Sequence, residues 1–158
     1  MDSIRDGVYV AALVIWVGAV LFLSFVVAPT LFQTLPPEEA GRAMSSMFPT
    51  YYLIGNICGG LLLLAGWLRR RAGDRSPAGK RLLWVVSLML ACNVYAGAVL
   101  QPRAAELKSS MRNGDSGGEA RAAFAAVHRQ AMALNAAVML GGCAAVALAS
   151  LQLRRAEN

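Results

Sequence analysis

Four long apolar blocks constrain the fold of this chain more than any other feature. They run over residues 8–35, 51–68, 82–101 and 130–153. A hydrocarbon core of about 30 Å needs roughly 20 apolar residues in helical form, because a helix satisfies its backbone polar groups within one segment. With 57% hydrophobic and only 15% charged residues, the chain lacks the polar surface to cover such blocks in water. An all-α, integral membrane four-helix bundle follows, expected as a single four-span domain over residues 1–158.

The first block is longer than a bilayer requires, so it tilts or protrudes, and Pro29 is expected to kink it near its far end. The segment PPEEAGRAMSSMF that follows predicts a short interfacial helix over about 37–48. Pro37, Glu38 and Glu39 suit a helix start, where a missing N–H costs nothing and the dipole favours negative charge. Ala40, Met44, Met47 and Phe48 form its apolar face. Pro49 is expected to break this helix before the second span, whose ends carry Tyr51, Tyr52 and Trp67 as interfacial aromatics. Pro102 ends or kinks the third span. RAAELKSSMR continues as helix out of the membrane, NGDSGG (113–118) is a flexible turn, and a last helix runs from Glu119 to about Arg154. Spans three and four thus make a projecting hairpin.

Basic residues orient the bundle. The 69–81 loop is short and dense in Arg and Lys, Arg154 and Arg155 flank the C-terminus, and Arg5 lies near the N-terminus. The opposite side has Arg42 and five basic residues spread over 103–131. The positive-inside rule then puts both termini and the 69–81 loop in the cytoplasm. The net charge of +6 reads as a topology signal; no aromatic interleaving points to nucleic acid. The lipid bilayer is the expected partner. Gly55-x-x-x-Gly59, with Gly60 and Gly66, marks close helix approach in the second span, within the bundle or in a homo-oligomer.

Few residues can carry chemistry. The spans hold no Asp, Glu, Lys or Arg for proton relay or ion coupling. There is no P-loop, nucleophile elbow or zinc-protease motif, so no enzyme is expected. On the last helix Phe124, His128, Met132, Asn135, Met139 and Gly142 or Cys143 share a stripe. That stripe is expected to face the interior, since amides are costly in lipid. Ser24, Asn56, Asn93 and Tyr95 are the isolated polar groups of the other spans. His128, Asn135, Asn93, Tyr95 and Asn56 are therefore the expected lining of the bundle's outer half, either cross-linking helices or facing a solute. A soft-metal site is the narrower alternative. Met44 and Met47, and His128 and Met132, pair donors one helical turn apart near the outer surface, with Met111 in the same region. Thioether and imidazole select Cu(I). Cys58, Cys92 and Cys143 add thiols if three spans bring them together; otherwise buried sulfur is filler. One histidine cannot supply a bis-histidine haem. No cofactor is expected, with a soft metal such as copper the one exception weighed.

The elements WVGAVLFLSFVVAPTLFQTLPPEEAGR, MFPTYYLIG, NVYAGAVLQPR and FAAVHRQAMALN resemble a widespread four-span family. It is the domain of unknown function 4149, which includes transmembrane protein 205. The resemblance covers nearly the whole chain. It implies a four-span α-helical bundle without established enzymatic activity, and for a bacterial-type member it implies the inner membrane. Eukaryotic relatives are linked to platinum-drug resistance, with export proposed and sulfur ligands suspected. Family members often carry a histidine early in the first span, and Gly7 to Leu13 contain none. A likeness to copper-resistance membrane proteins rests on four-span character alone. The leading expectation is a transport-related role: binding or passing a small solute, such as a soft metal or cationic drug. A non-transporting structural or accessory subunit is the rival, and a haem- or copper-binding membrane protein comes third.

Overall fold

The computed structural model describes residues 2–112 and 118–156, with side chains over 6–111 and 118–150. In chain order it consists of α1 (Asp2–Phe22), a π-helical turn (Leu23–Val27), α2 (Ala28–Thr34), α3 (Pro37–Arg71), α4 (Pro77–Tyr95), a second π-helical turn (Ala96–Leu100), α5 (Gln101–Arg112) and α6 (Gly118–Ala156). Among the described residues, four stretches are long and apolar enough to cross a membrane: Asp6–Thr34, Pro37–Arg71, Pro77–Met111 and Gly118–Ser150. They close a ring in chain order, α1 against α3, α3 against α4, α4 against α6 and α6 against α1. The result is an all-α four-helix bundle. Trp16, Val20, Leu62, Val86 and Leu100 fill its interior, while Val14, Phe22, Leu53, Leu88 and Leu140 cover its outside. Apolar groups on both faces are what a lipid-embedded bundle requires.

The helix ends have local causes. Leu35 is extended (φ −119°, ψ 152°), as a residue before proline prefers, so the first span stops ahead of Pro36 and Pro37. Glu38 and Glu39 then occupy the first turn of α3, and Arg69, Arg70 and Arg71 its last, each sign complementing the helix dipole. The exit from α3 is a Schellman turn: Gly73 N–H donates to Arg70 O at 3.2 Å and Asp74 N–H to Arg69 O at 3.1 Å. Gly73 takes φ +103° there, a conformation that a Cβ would strain. Asp74 Oδ1 accepts from Ser76 N–H at 2.8 Å, and Ser76 caps α4 by accepting from Gly79 N–H at 3.1 Å.

One expectation about proline needs correction. Pro49 does not break a helix; α3 runs through it without interruption from Pro37 to Arg71. An interior proline costs about 3 kcal/mol, and tertiary contacts on the segment before it offset that cost. Ala40 and Met44 are buried, and Lys108 Nζ donates to Gly41 O at 3.1 Å and Ser45 Oγ at 2.8 Å. The interfacial helix is thus the first part of the second span's own helix. Helix continues past Pro102 to Arg112, as expected for RAAELKSSMR. Each of Pro29 and Pro102 follows a π-helical turn, in which Ala28 N–H reaches back to Leu23 O and Gln101 N–H to Ala96 O. The wider turn gives the proline ring room against the preceding carbonyls. The α5 and α6 arms lie against each other, as a projecting hairpin requires. Most of the expected flexible turn, residues 113–117, lies outside the described residues.

Candidate functional site

Two hydrogen-bonded clusters draw polar groups from all four spans. Asn135 on α6 donates through Nδ2 to Ser24 Oγ at 3.0 Å, and its Oδ1 accepts from Tyr51 O–H at 2.6 Å. Ser24 lies in the first π turn, so that turn presents it toward α6. In the second cluster Asn93 on α4 donates through Nδ2 to Tyr52 O at 3.0 Å and to Asn56 Oδ1 at 2.8 Å. The adjacent tyrosines join the two clusters, their ring centroids 5.2 Å apart in an edge-on arrangement.

Glycine makes this approach geometrically feasible. A Cβ on Gly55 would lie 2.6 Å from Asn93 Oδ1, and one on Gly97, in the second π turn, 2.9 Å from Tyr52 Cγ. Gly59 meets Leu90 and Trp16 in the same way, so the Gly55/Gly59 pair is used inside the bundle, while Gly60 looks outward. Asn93 is 3% exposed. Its amide Nδ2 is held by two partners on α3.

The expected site residues therefore separate. Asn93, Asn56 and Asn135 enter the clusters, although Asn56 is exposed on the outer face and reaches inward only through Oδ1. Tyr95 faces outward, about half exposed. His128 is exposed and stacks on Phe124, with centroids 6.2 Å apart. Met132 is 60% exposed. The stripe of α6 that turns inward holds Val127, Val138, Gly142 and Ala145, rotated from the one through His128 and Met132. Small and β-branched side chains, which let α6 close on α1 and α4, set this face; polarity does not. Among the candidate metal donors, Met44 is buried, whereas Met47, His128 and Met132 are exposed. Cys58 is buried, Cys92 half-buried and Cys143 exposed. No cluster of three or more His, Cys, Asp or Glu occurs among the described residues.

Sequence reading missed the role of Tyr51, which looked like an interfacial aromatic, and that of Lys108. Lys108 ties α5 to α3 and lies 5.6 Å from the Phe124 ring centroid on α6. It also missed the opposite end of the bundle. There Arg69 Nη2 pairs with Asp6 Oδ1 at 2.7 Å and lies 5.6 Å from the Tyr9 ring centroid. The Asp74 carboxyl is held below its ordinary range, chiefly by the Ser76 backbone N–H and then by the Ser76 side chain.

A family model described as "Domain of unknown function (DUF4149)" matches residues 11–113. An uncharacterized protein of Aquifex aeolicus (strain VF5) is 37% identical over 62 residues, which cover 39% of this chain and 47% of that protein. The match thus spans about half the length of that relative. No solved structure matches the chain.

Proposed function

The chain belongs to the DUF4149 family, and from that premise we propose that it serves as a structural or accessory membrane subunit. Its polar interior sets helix register instead of conducting a solute. The observation that carries this reading is the closure of the two clusters: Asn93 and Asn135 are each held by two hydrogen bonds to other spans. Hydrogen bonds of this kind contribute modestly, about 0.6 kcal/mol each in membranes, yet together they favour the register in which Asn93 and Asn135 meet partners on other spans. No catalytic role is proposed. The dense basic loop after α3 supports an inner-membrane orientation with both termini cytoplasmic.

The second reading is passage of a small soft-metal or cationic solute. It is favoured by the two π turns, which place Ser24 and Gly97 beside the clusters; such turns are frequent at functional sites. Flux through proteoliposomes holding the full chain separates the two. Under the structural reading Cu(I) and a cationic dye cross no faster than in empty liposomes, and Asn93→Leu lowers thermal stability without altering flux. Flux that requires wild-type protein and disappears in Asn93→Leu would establish the transport reading in its place.

A further inference from the structure

We propose that the crevice at the Arg69 end of the bundle binds a phosphate group, one oxygen of which enters to accept from the Tyr9 hydroxyl. The crevice lies between α1, α3 and α4, with Leu62, Leu82 and Val86 in its apolar depth and Arg69, Arg70 and Asp74 at its rim. Its cavity volume is about 20 Å³, space for a single water-sized group. One phosphate oxygen fits, with the rest of the group outside. Tyr9 lines the crevice and is 5% exposed. Its hydroxyl makes no hydrogen bond among the described residues. A buried hydroxyl of this kind calls for an acceptor.

The rim decides the charge of that acceptor. Asp6 is held by Arg69, and Asp74 by the Ser76 N–H, so both carboxylates have partners. Arg70 is exposed at the mouth, and Arg71 follows it. Guanidinium groups beside a phenol O–H favour an oxyanion, and phosphate matches their fork of donors. The Asp6–Arg69 pair and Tyr9 mark the end of the apolar spans, the depth at which phospholipid headgroups lie. A membrane lipid and free phosphate share this chemistry. The inference requires only that the chain is membrane-embedded, so it stands apart from the choice between structural and transport roles.

The test uses the full chain in a maltoside detergent, with bound lipid counted by native mass spectrometry and the thermal midpoint followed in parallel. Three probes are compared: phosphatidylglycerol, a phosphate-free galactolipid with the same acyl chains, and inorganic phosphate. Phosphatidylglycerol is expected to bind and raise the midpoint, and the galactolipid to do neither. Tyr9→Phe, which removes one hydroxyl that has no partner among the described residues, is expected to weaken phosphatidylglycerol binding about tenfold. Arg70→Gln, an exposed change that leaves the fold intact, is expected to weaken it as well. Displacement of the lipid by inorganic phosphate would identify the free anion as a ligand, and lack of displacement alongside the Tyr9 effect would assign the site to lipid. Equal binding of the two lipids, or wild-type affinity in Tyr9→Phe, overturns the proposal.

Discussion

Gly55→Ala is the sharpest probe of the bundle interior, because the structure specifies what the added methyl meets. The new Cβ would stand 2.6 Å from Asn93 Oδ1 and 2.8 Å from both Cγ and Nδ2. Asn93 is not free to swing away, since Nδ2 is committed to Tyr52 O and Asn56 Oδ1. Either the overpacking is absorbed, at about 1–3 kcal/mol, or both bonds break, at about 0.6 kcal/mol each. Against either loss, alanine in place of glycine returns up to about 1 kcal/mol of helix propensity. The single variant is therefore expected to be only slightly destabilised, and the double-mutant cycle is decisive. With Asn93→Ala already present there is no side chain to strike and no bond to lose, so Gly55→Ala is expected to stabilise by about 1 kcal/mol. The coupling between the two sites is then about 1–3 kcal/mol. Reversible unfolding in mixed detergent–SDS micelles measures all four species. Additivity within about 0.5 kcal/mol would refute the contact and with it the enclosed placement of Asn93.

Three further outcomes follow from the same geometry. Tyr51→Phe removes the O–H that Asn135 accepts and is expected to cost about 0.6–1.7 kcal/mol; an unchanged unfolding curve would remove Asn135 from the interior network. His128→Ala is expected to leave stability within about ±0.5 kcal/mol, because the ring is exposed, so a larger loss by the same assay would mean that it is buried. The Asp74 carboxyl titrates lower in the folded chain, so its contribution is present above the unfolded value of about 3.9 and is lost as pH falls through the folded one. The acid limb of a stability–pH curve is accordingly expected to flatten in Asp74→Asn, and an acid limb identical to wild type would count against the Ser76 contact.

Much of the architecture was legible because it rests on local chemistry. Block lengths locate the spans, and the first block stops at Leu35; the Ser76-Pro77 start of the third helix was not legible, because residues 69–81 read as a basic loop. Isolated amides in apolar runs marked Asn93 and Asn135 as interior groups, since hydrocarbon offers them nothing. Their partners were hidden, because pairing depends on helix rotation, and no single residue encodes rotation. His128 shows the same limit. It shares a helix face with Asn135 on paper, yet small residues such as Gly142 and Ala145 set which way α6 turns. Pro49 misled for a related reason, because the contacts of Ala40, Met44 and Lys108 outweigh a local preference; at Pro29 and Pro102 the backbone widens one turn earlier.

The two π turns also give the chain a frame that is counted in residues. A π turn holds one residue more than the α-helical turn it replaces, so each acts as a built-in single-residue insertion. Deleting one residue between Leu23 and Val27 would leave an apolar helix of ample length, with every composition-based measure nearly unchanged. Everything beyond it, from Pro29 to Thr34, would rotate by about 100° relative to Trp16 and Val20. The same holds for Ala96–Leu100 and the arm that carries Lys108 to Gly41. In these two spans chain length, more than residue type, determines which side chains meet at the Ser24 and Lys108 end of the bundle.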